Sequence, residues 1–145
     1  VDTAETGHLV FGTLHTTTAP STVDRIIDQF PAGRQEQIRT MLSESLRGVI
    51  SQMLCKKKGG GRIATYEILI WNNAVGNLIR EGKTFQLQSI MQTGRNQGMQ
   101  TMNDHLLDLV KQDLVEPEEA YMKSNDKLQM KDLLAKANIQ LKIAV

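Results

Sequence analysis

Two histidines, His8 and His15, bracket a short apolar run, Leu9-Val10-Phe11-Gly12-Thr13-Leu14. If that run is a strand rising about 3.3 Å per residue, it separates them by roughly 23 Å, and their opposite parity turns them to opposite faces. They cannot share one metal ion. His8, at the start of the run, reads first as a structural histidine, although a side chain that titrates near neutrality always invites a chemical role. His15 differs, because it sits at the carboxyl end of the expected strand and is followed by the hydroxyls of Thr16, Thr17 and Thr18. In α/β sheets ligands bind outside those carboxyl ends, which makes His15 the candidate functional histidine.

Other candidate motifs are weaker. The stretch Gly76-Asn77-Leu78-Ile79-Arg80-Glu81-Gly82-Lys83-Thr84 resembles a phosphate-binding loop, but that loop needs four residues between its glycines and this stretch has five. Its middle is also good helix-forming sequence, so a helix closed by Gly82, with Arg80 and Lys83 at the negative end of its dipole, is the better account. Lys56-Lys57-Lys58-Gly59-Gly60-Gly61-Arg62 is cationic but carries no interleaved aromatic residue to stack on bases, which argues for a solvated hairpin tip and against nucleic-acid binding. No Ser/His/Asp order, carboxylate pair or Cys/His pairing stands out as a self-contained catalytic set. Met41 and Met53 fit a core stripe, and Met99 and Met102 follow a glycine-rich turn.

The elements that must position these groups come from an ordinary globular composition. In 145 residues, 40% are apolar and 23% charged, enough for a core within about one domain's length. The net charge of +1 supplies no long-range field for nucleic acid or an anionic membrane. A single cysteine, Cys55, can form neither an internal disulfide nor a four-cysteine zinc site, which points to a reducing, cytosolic compartment with no metal site. No run approaches the ~18 apolar residues needed to span a bilayer, so direct membrane insertion is not expected.

Apolar spacing predicts a short amphipathic helix over 21–30, with Pro20 at its first turn and Pro31 stopping it. A longer helix is predicted over 34–54, from Ile38, Met41, Leu42, Leu46, Val49, Ile50, Met53 and Leu54. The glycine-rich turn and the β-branched run over 63–70 predict a hairpin or strand-turn-strand. Helical patterns follow over 74–81, 85–92, 101–114, 117–123 and 127–141.

Glu5-Thr6-Gly7-His8-Leu9-Val10-Phe11-Gly12-Thr13-Leu14-His15-Thr16 resembles the histidine box of the secretion-type hexameric ATPases, and more closely that of the type IV pilus retraction ATPases, the PilT family. Further blocks keep the family's order: Asp24-Arg25-Ile26-Ile27-Asp28-Gln29-Phe30-Pro31, Leu42-Ser43-Glu44-Ser45-Leu46, Gly59-Gly60-Gly61-Arg62-Ile63-Ala64 with Glu67-Ile68, and Gln92-Thr93-Gly94 with Gly98-Met99-Gln100-Thr101. Together they cover roughly residues 4 to 115. The family signature Ala-Ile-Arg-Asn-Leu-Ile-Arg-Glu is altered to Ala74-Val75-Gly76-Asn77-Leu78-Ile79-Arg80-Glu81, which puts a helix-weakening glycine in place of an arginine. That change leaves open whether the chain is a main or an accessory retraction ATPase.

The resemblance implies an α/β fold: the C-terminal part of a RecA-like P-loop ATPase, with a partial ATPase core over 1–72 and a helical C-terminal subdomain over 73–145. It implies a hexameric ring that uses ATP and Mg2+ in the full-length protein, drives pilus retraction and twitching motility, and acts through an inner-membrane platform protein. His15 would take a nucleotide-sensing role with Thr16 beside it, His8 a weaker second one, and Arg25 an intersubunit or nucleotide-proximal one. No phosphate-binding loop or acidic magnesium-holding strand is found, so the chain alone is expected to be inactive and its exposed edges to favour self-association. A type II secretion or extension ATPase is the alternative within the class, although its usual Cys-x-x-Cys zinc ligands are missing here. A non-catalytic oligomerisation module is the alternative outside it.

Overall fold

Thr18 begins the first long helix: its hydroxyl accepts the Ser21 N–H at 3.2 Å and Pro20 enters the first turn, giving α2 (Ala19–Asp28) after a four-residue α1 (Asp2–Glu5). A computed structural model describes residues 1–142. The remaining elements are α3 (Gln35–Ser45), β1 (Gly48–Lys56), β2 (Arg62–Ile70), α4 (Asn73–Arg80), α5 (Leu87–Thr93), α6 (Met102–Lys111), α7 (Pro117–Lys123) and α8 (Lys127–Lys136), with 3-10 turns at Ala32–Arg34, Thr84–Gln86 and Arg95–Gln97. The fold is therefore rich in helix, with one small sheet among the described residues, the β1-β2 hairpin.

The chain forms two units. The first comprises Val1–Ser51 and Ile68–Met99. Its core brings Ala19, Val23 and Ile27 of α2 together with Ile38 and Leu42 of α3, Val75 and Ile79 of α4, and Leu87 and Met91 of α5. The second comprises Gln52–Glu67 and the chain from Gln100 onward, with a core built on Met102 and Leu106 of α6, Ala120 of α7, Met130 and Leu134 of α8, and Cys55. No helix among the described residues is long and apolar enough to cross a membrane.

The run 8–14 is not a buried strand: it pairs with no strand among the described residues, and Leu9 and Phe11 are 79% and 88% exposed. A strand needs a partner ladder for its N–H and C=O groups and cover for its side chains, and apolar sequence supplies neither by itself.

The helix predicted over 34–54 ends at Ser45, where Leu46 turns to ψ 135°, and the chain continues as β1. Val49, Ser51 and Cys55 point inward while Ile50, Gln52 and Leu54 point out, a period of two. Val49, Ile50, Met53 and Leu54 satisfy both periods, and pairing with β2 selects the strand. Gly48 permits the close approach: a Cβ there would lie 3.1 Å from the Leu69 carbonyl oxygen. The hairpin turns through Gly59, Gly60 and Gly61, all at positive φ, with the Lys57 N–H donating to the Gly61 carbonyl at 3.1 Å.

Helices are found where the later spacing put them, within a few residues. The predicted 127–141 helix stops at Lys136, because Asn138 takes φ 57° and the Ile139 N–H returns to the Leu134 carbonyl at 2.9 Å. The last three residues of the expected 73–145 subdomain lie outside the described residues.

Candidate functional site

The segment carrying His8, His15 and Thr16 forms no regular element and is largely exposed, with side-chain hydrogen bonds at its two ends. At the first end His8 Nδ1 lies 3.0 Å from Thr6 Oγ1, a local contact that holds the ring against its own chain. At the second, half-buried Thr16 places Oγ1 2.6 Å from Thr22 Oγ1 of α2, and Thr22 donates to the Thr18 carbonyl at 2.7 Å. His15 is therefore adjacent in sequence to a residue tied to α2. Its own ring is exposed and makes no hydrogen bond among the described residues.

Arg25 follows three residues after Thr22 on the same helix, one turn along α2, and is exposed. Its neighbour Asp24 is engaged, accepting the Thr84 hydroxyl at 2.8 Å. The fold thus ties Thr16 to α2, keeps His15 adjacent through the chain, carries Arg25 on α2, and leaves His8 at the far end. Among the described residues no group of three or more His, Cys, Asp or Glu side chains gathers as a metal site.

The altered signature forms α4, whose start is capped by Asn72 accepting the Val75 N–H at 2.9 Å. It closes at Gly82, φ 71°, with the Lys83 N–H on the Leu78 carbonyl and the Gly82 N–H on the Ile79 carbonyl, a Schellman end. These N–H groups are turned onto their own helix, which rules out a phosphate cradle there. Gly76 has a packing reason: a Cβ would meet the Ser43 carbonyl oxygen at 3.1 Å and the Trp71 indole nitrogen at 3.3 Å. Arg80 is held by Asn77 Oδ1 at 3.1 Å and Ser43 Oγ at 3.2 Å. Ala74, Asn77 and Leu78 line one wall of an open depression of about 470 Å³, completed by Gln86, Ser89 and Ile90.

Two further residues, outside the candidate site, have defined partners in the second unit. His105 on α6 uses Nδ1 to accept the Tyr66 backbone N–H at 2.9 Å, and burial lowers its pKa below the usual histidine value against the opposing pull of Asp108. Glu67, 1% exposed, accepts the Met102 N–H at the start of α6 at 3.3 Å. The only signal in sequence was a histidine and a glutamate inside otherwise apolar periods.

The family model described as "Type II/IV secretion system protein" matches residues 1–123. A Neisseria gonorrhoeae protein named "Twitching motility protein" is 63% identical over 118 residues, 81% of this chain and 32% of that one. The "Type IV pilus retractation ATPase PilT" of Pseudomonas aeruginosa is 55% identical over 121 residues, 83% of this chain and 35% of that one. The solved structure "Crystal Structure of the Pilus Retraction Motor PilT and Bound ADP" superposes with a TM-score of 0.80 at 50% identity, covering 90% of this chain and 38% of that one. The chain therefore spans about a third of the length of the relatives it matches.

Proposed function

Because the chain belongs to the type II/IV secretion system protein family, we propose that it serves as the C-terminal portion of an ATP-hydrolysing motor that retracts type IV pili and so drives twitching motility. The observation that carries this reading is the 50% identity and 0.80 TM-score over 90% of the chain to a pilus retraction motor.

In this reading the fold is the C-terminal part of a RecA-like P-loop ATPase with a helical subdomain, working as a cytoplasmic hexameric ring against an inner-membrane platform protein. ATP and Mg2+ belong to the full-length protein. The residues present do not make a cradle for them, since Gly76 to Lys83 is a closed helix end. The chemistry they supply, phosphoryl transfer to water, depends on a phosphate-binding loop in further polypeptide.

This chain's share is to place His15 and Thr16 at the nucleotide, with Thr16 steadied by α2 and Arg25 offering a cation from that helix. His8 is the weaker second candidate. The exposed Leu9 and Phe11 are covered by further protein in the assembled motor.

Phosphate release with Mg2+ and ATP tests the reading. The chain alone is expected to show none above blank, whereas a polypeptide extended to the length of its relatives turns over ATP and slows on His15→Ala. Turnover by the chain alone that His15→Ala abolishes would overturn the proposed division of labour.

A further inference from the structure

Past α8 the chain folds back over the second unit. Asn138, at φ 57°, reverses it, and exposure then alternates: Ile139 and Leu141 are half-buried against the second core, whereas Gln140 and Lys142 are exposed. Residues 139–142 thus form a one-sided strap, beyond residues 1–123, the part matched by the family model. Its two ends are held unequally. At the near end the Ile139 N–H meets the Leu134 carbonyl at 2.9 Å, the closing bond of α8 itself. At the far end the Lys142 N–H donates to Glu118 Oε1 of α7 at 2.8 Å. Between them, Gln140 and Leu141 make no hydrogen bond among the described residues. Fixing these residues costs backbone freedom, and half-buried side chains return less than fully buried ones, so the charge-assisted bond at the far end decides whether the strap stays down.

Glu118 stands in the first turn of α7, and the Lys142 N–H, with its own backbone N–H second, holds its carboxyl below the usual carboxylate range. Its neighbour Glu119 accepts the Lys56 N–H in the same way at 2.9 Å, but Lys56 ends β1, whose ladder with β2 holds it in any case. The strap has no second hold of that kind among the described residues. We propose that residues 139–142 are a releasable strap, latched by Glu118, over apolar surface of the second core. Release leaves the helices standing: α8 keeps its Asp126 cap on the Gln129 N–H at 3.0 Å, and Met130 and Leu134 stay packed in one core with Ala120 of α7. The surface under Ile139 and Leu141 is then uncovered without unfolding of the unit.

The test breaks the latch from each side in the whole chain. Glu118→Ala removes the acceptor, Lys142→Pro removes the donor and leaves α7 untouched, and Glu118→Gln keeps an acceptor oxygen. Amide spectra first establish that each variant is folded, and backbone amide relaxation by NMR then follows residues 139–141. Order close to that of α8 is expected in the unmodified chain and Glu118→Gln, falling to that of a free tail in Glu118→Ala and Lys142→Pro. A strap already mobile in the unmodified chain, or ordered alike in both breaking variants, overturns the latch. Release in only one of the two also overturns it, since the effect would then come from that substitution and not from the shared bond. Should Glu118→Ala fail to fold, Lys142→Pro decides by itself.

Anilinonaphthalene sulfonate then reports what release uncovers. Its fluorescence is expected to rise about twofold in the two released variants, at unchanged helix content, and to stay at the unmodified level in Glu118→Gln. Release with no gain in dye fluorescence means that the strap covers no apolar surface and overturns its role as a cover. A gain that comes with loss of helix content means that the unit opens as a whole and overturns the local release.

Discussion

His105 lies almost parallel to Tyr66, their rings 20° apart with centroids separated by 5.8 Å, and its Nδ1 accepts the Tyr66 backbone N–H at 2.9 Å. Accepting there requires an unprotonated Nδ1, so the fold binds the neutral ring. Gln100 completes the arrangement by donating from Nε2 to the Tyr66 carbonyl at 2.8 Å, so both backbone groups of Tyr66 are occupied from the second unit's own residues. One residue of a sheet edge is thereby closed without a third strand.

The stability of the second unit should fall on acidification through this histidine. Burial lowers its pKa in the fold, and the unfolded chain returns it to about 6.5. Between those two values the unfolded state binds more protons, so stability rises with pH. The contribution is complete above about pH 6.5 and is lost as pH falls through the lower folded value. Urea midpoints between pH 7.5 and 4.5 measure it, and His105→Asn, whose amide oxygen can accept the same N–H, should flatten that part of the curve.

Ser124 and Asn103 join α6 to the α7-α8 corner. Ser124 Oγ lies 2.7 Å from Asn103 Oδ1 and accepts the Asp126 N–H at 3.1 Å, and both residues are buried. Ser124→Ala leaves an amide oxygen and a backbone N–H short of partners, and is expected to cost about 1–3 kcal/mol in denaturant unfolding. A cost near zero would show that water enters the corner.

Gly94 is a packing glycine. A Cβ there would sit 2.6 Å from Met99 Sδ and 3.0 Å from the Ile90 carbonyl oxygen, inside a core where Met99 is buried. Gly94→Ala should therefore destabilise by about 1–3 kcal/mol despite alanine's better helix propensity. Combined with Met99→Ala, the loss should be smaller than the sum of the two, since the second change vacates the space the first one needs.

Cys55 should be chemically silent in the native chain. It is fully buried, and burial, with Glu119 adding to it, raises its thiol pKa above the ordinary value. Alkylation followed by mass spectrometry is expected to modify it only with added denaturant. Rapid modification in native buffer would mean that the second core opens readily.

The residues around His15 were legible as a motif, and their support was not. Three hydroxyls after His15 are visible in any reading of the chain, but the contact between the Thr16 and Thr22 hydroxyls depends on the turn that brings residue 22 back over residue 16. His105 and Glu67 were hidden for a related reason: each meets a backbone N–H about 35 to 39 residues away, and backbone partners leave no trace in side-chain pattern.

What the sequence determined by itself is the local part: caps, turn glycines and amphipathic spacing set α2, α4, α6 and α7 and the hairpin turn, because those preferences act within a few residues. What only the tertiary structure decided is the rest. Val49 to Leu54 could lie on a helix or a strand, and pairing with β2 chose the strand. The run 8–14 could read as a buried strand, yet burial and a ladder are properties of neighbours, and its apolar side chains stand exposed.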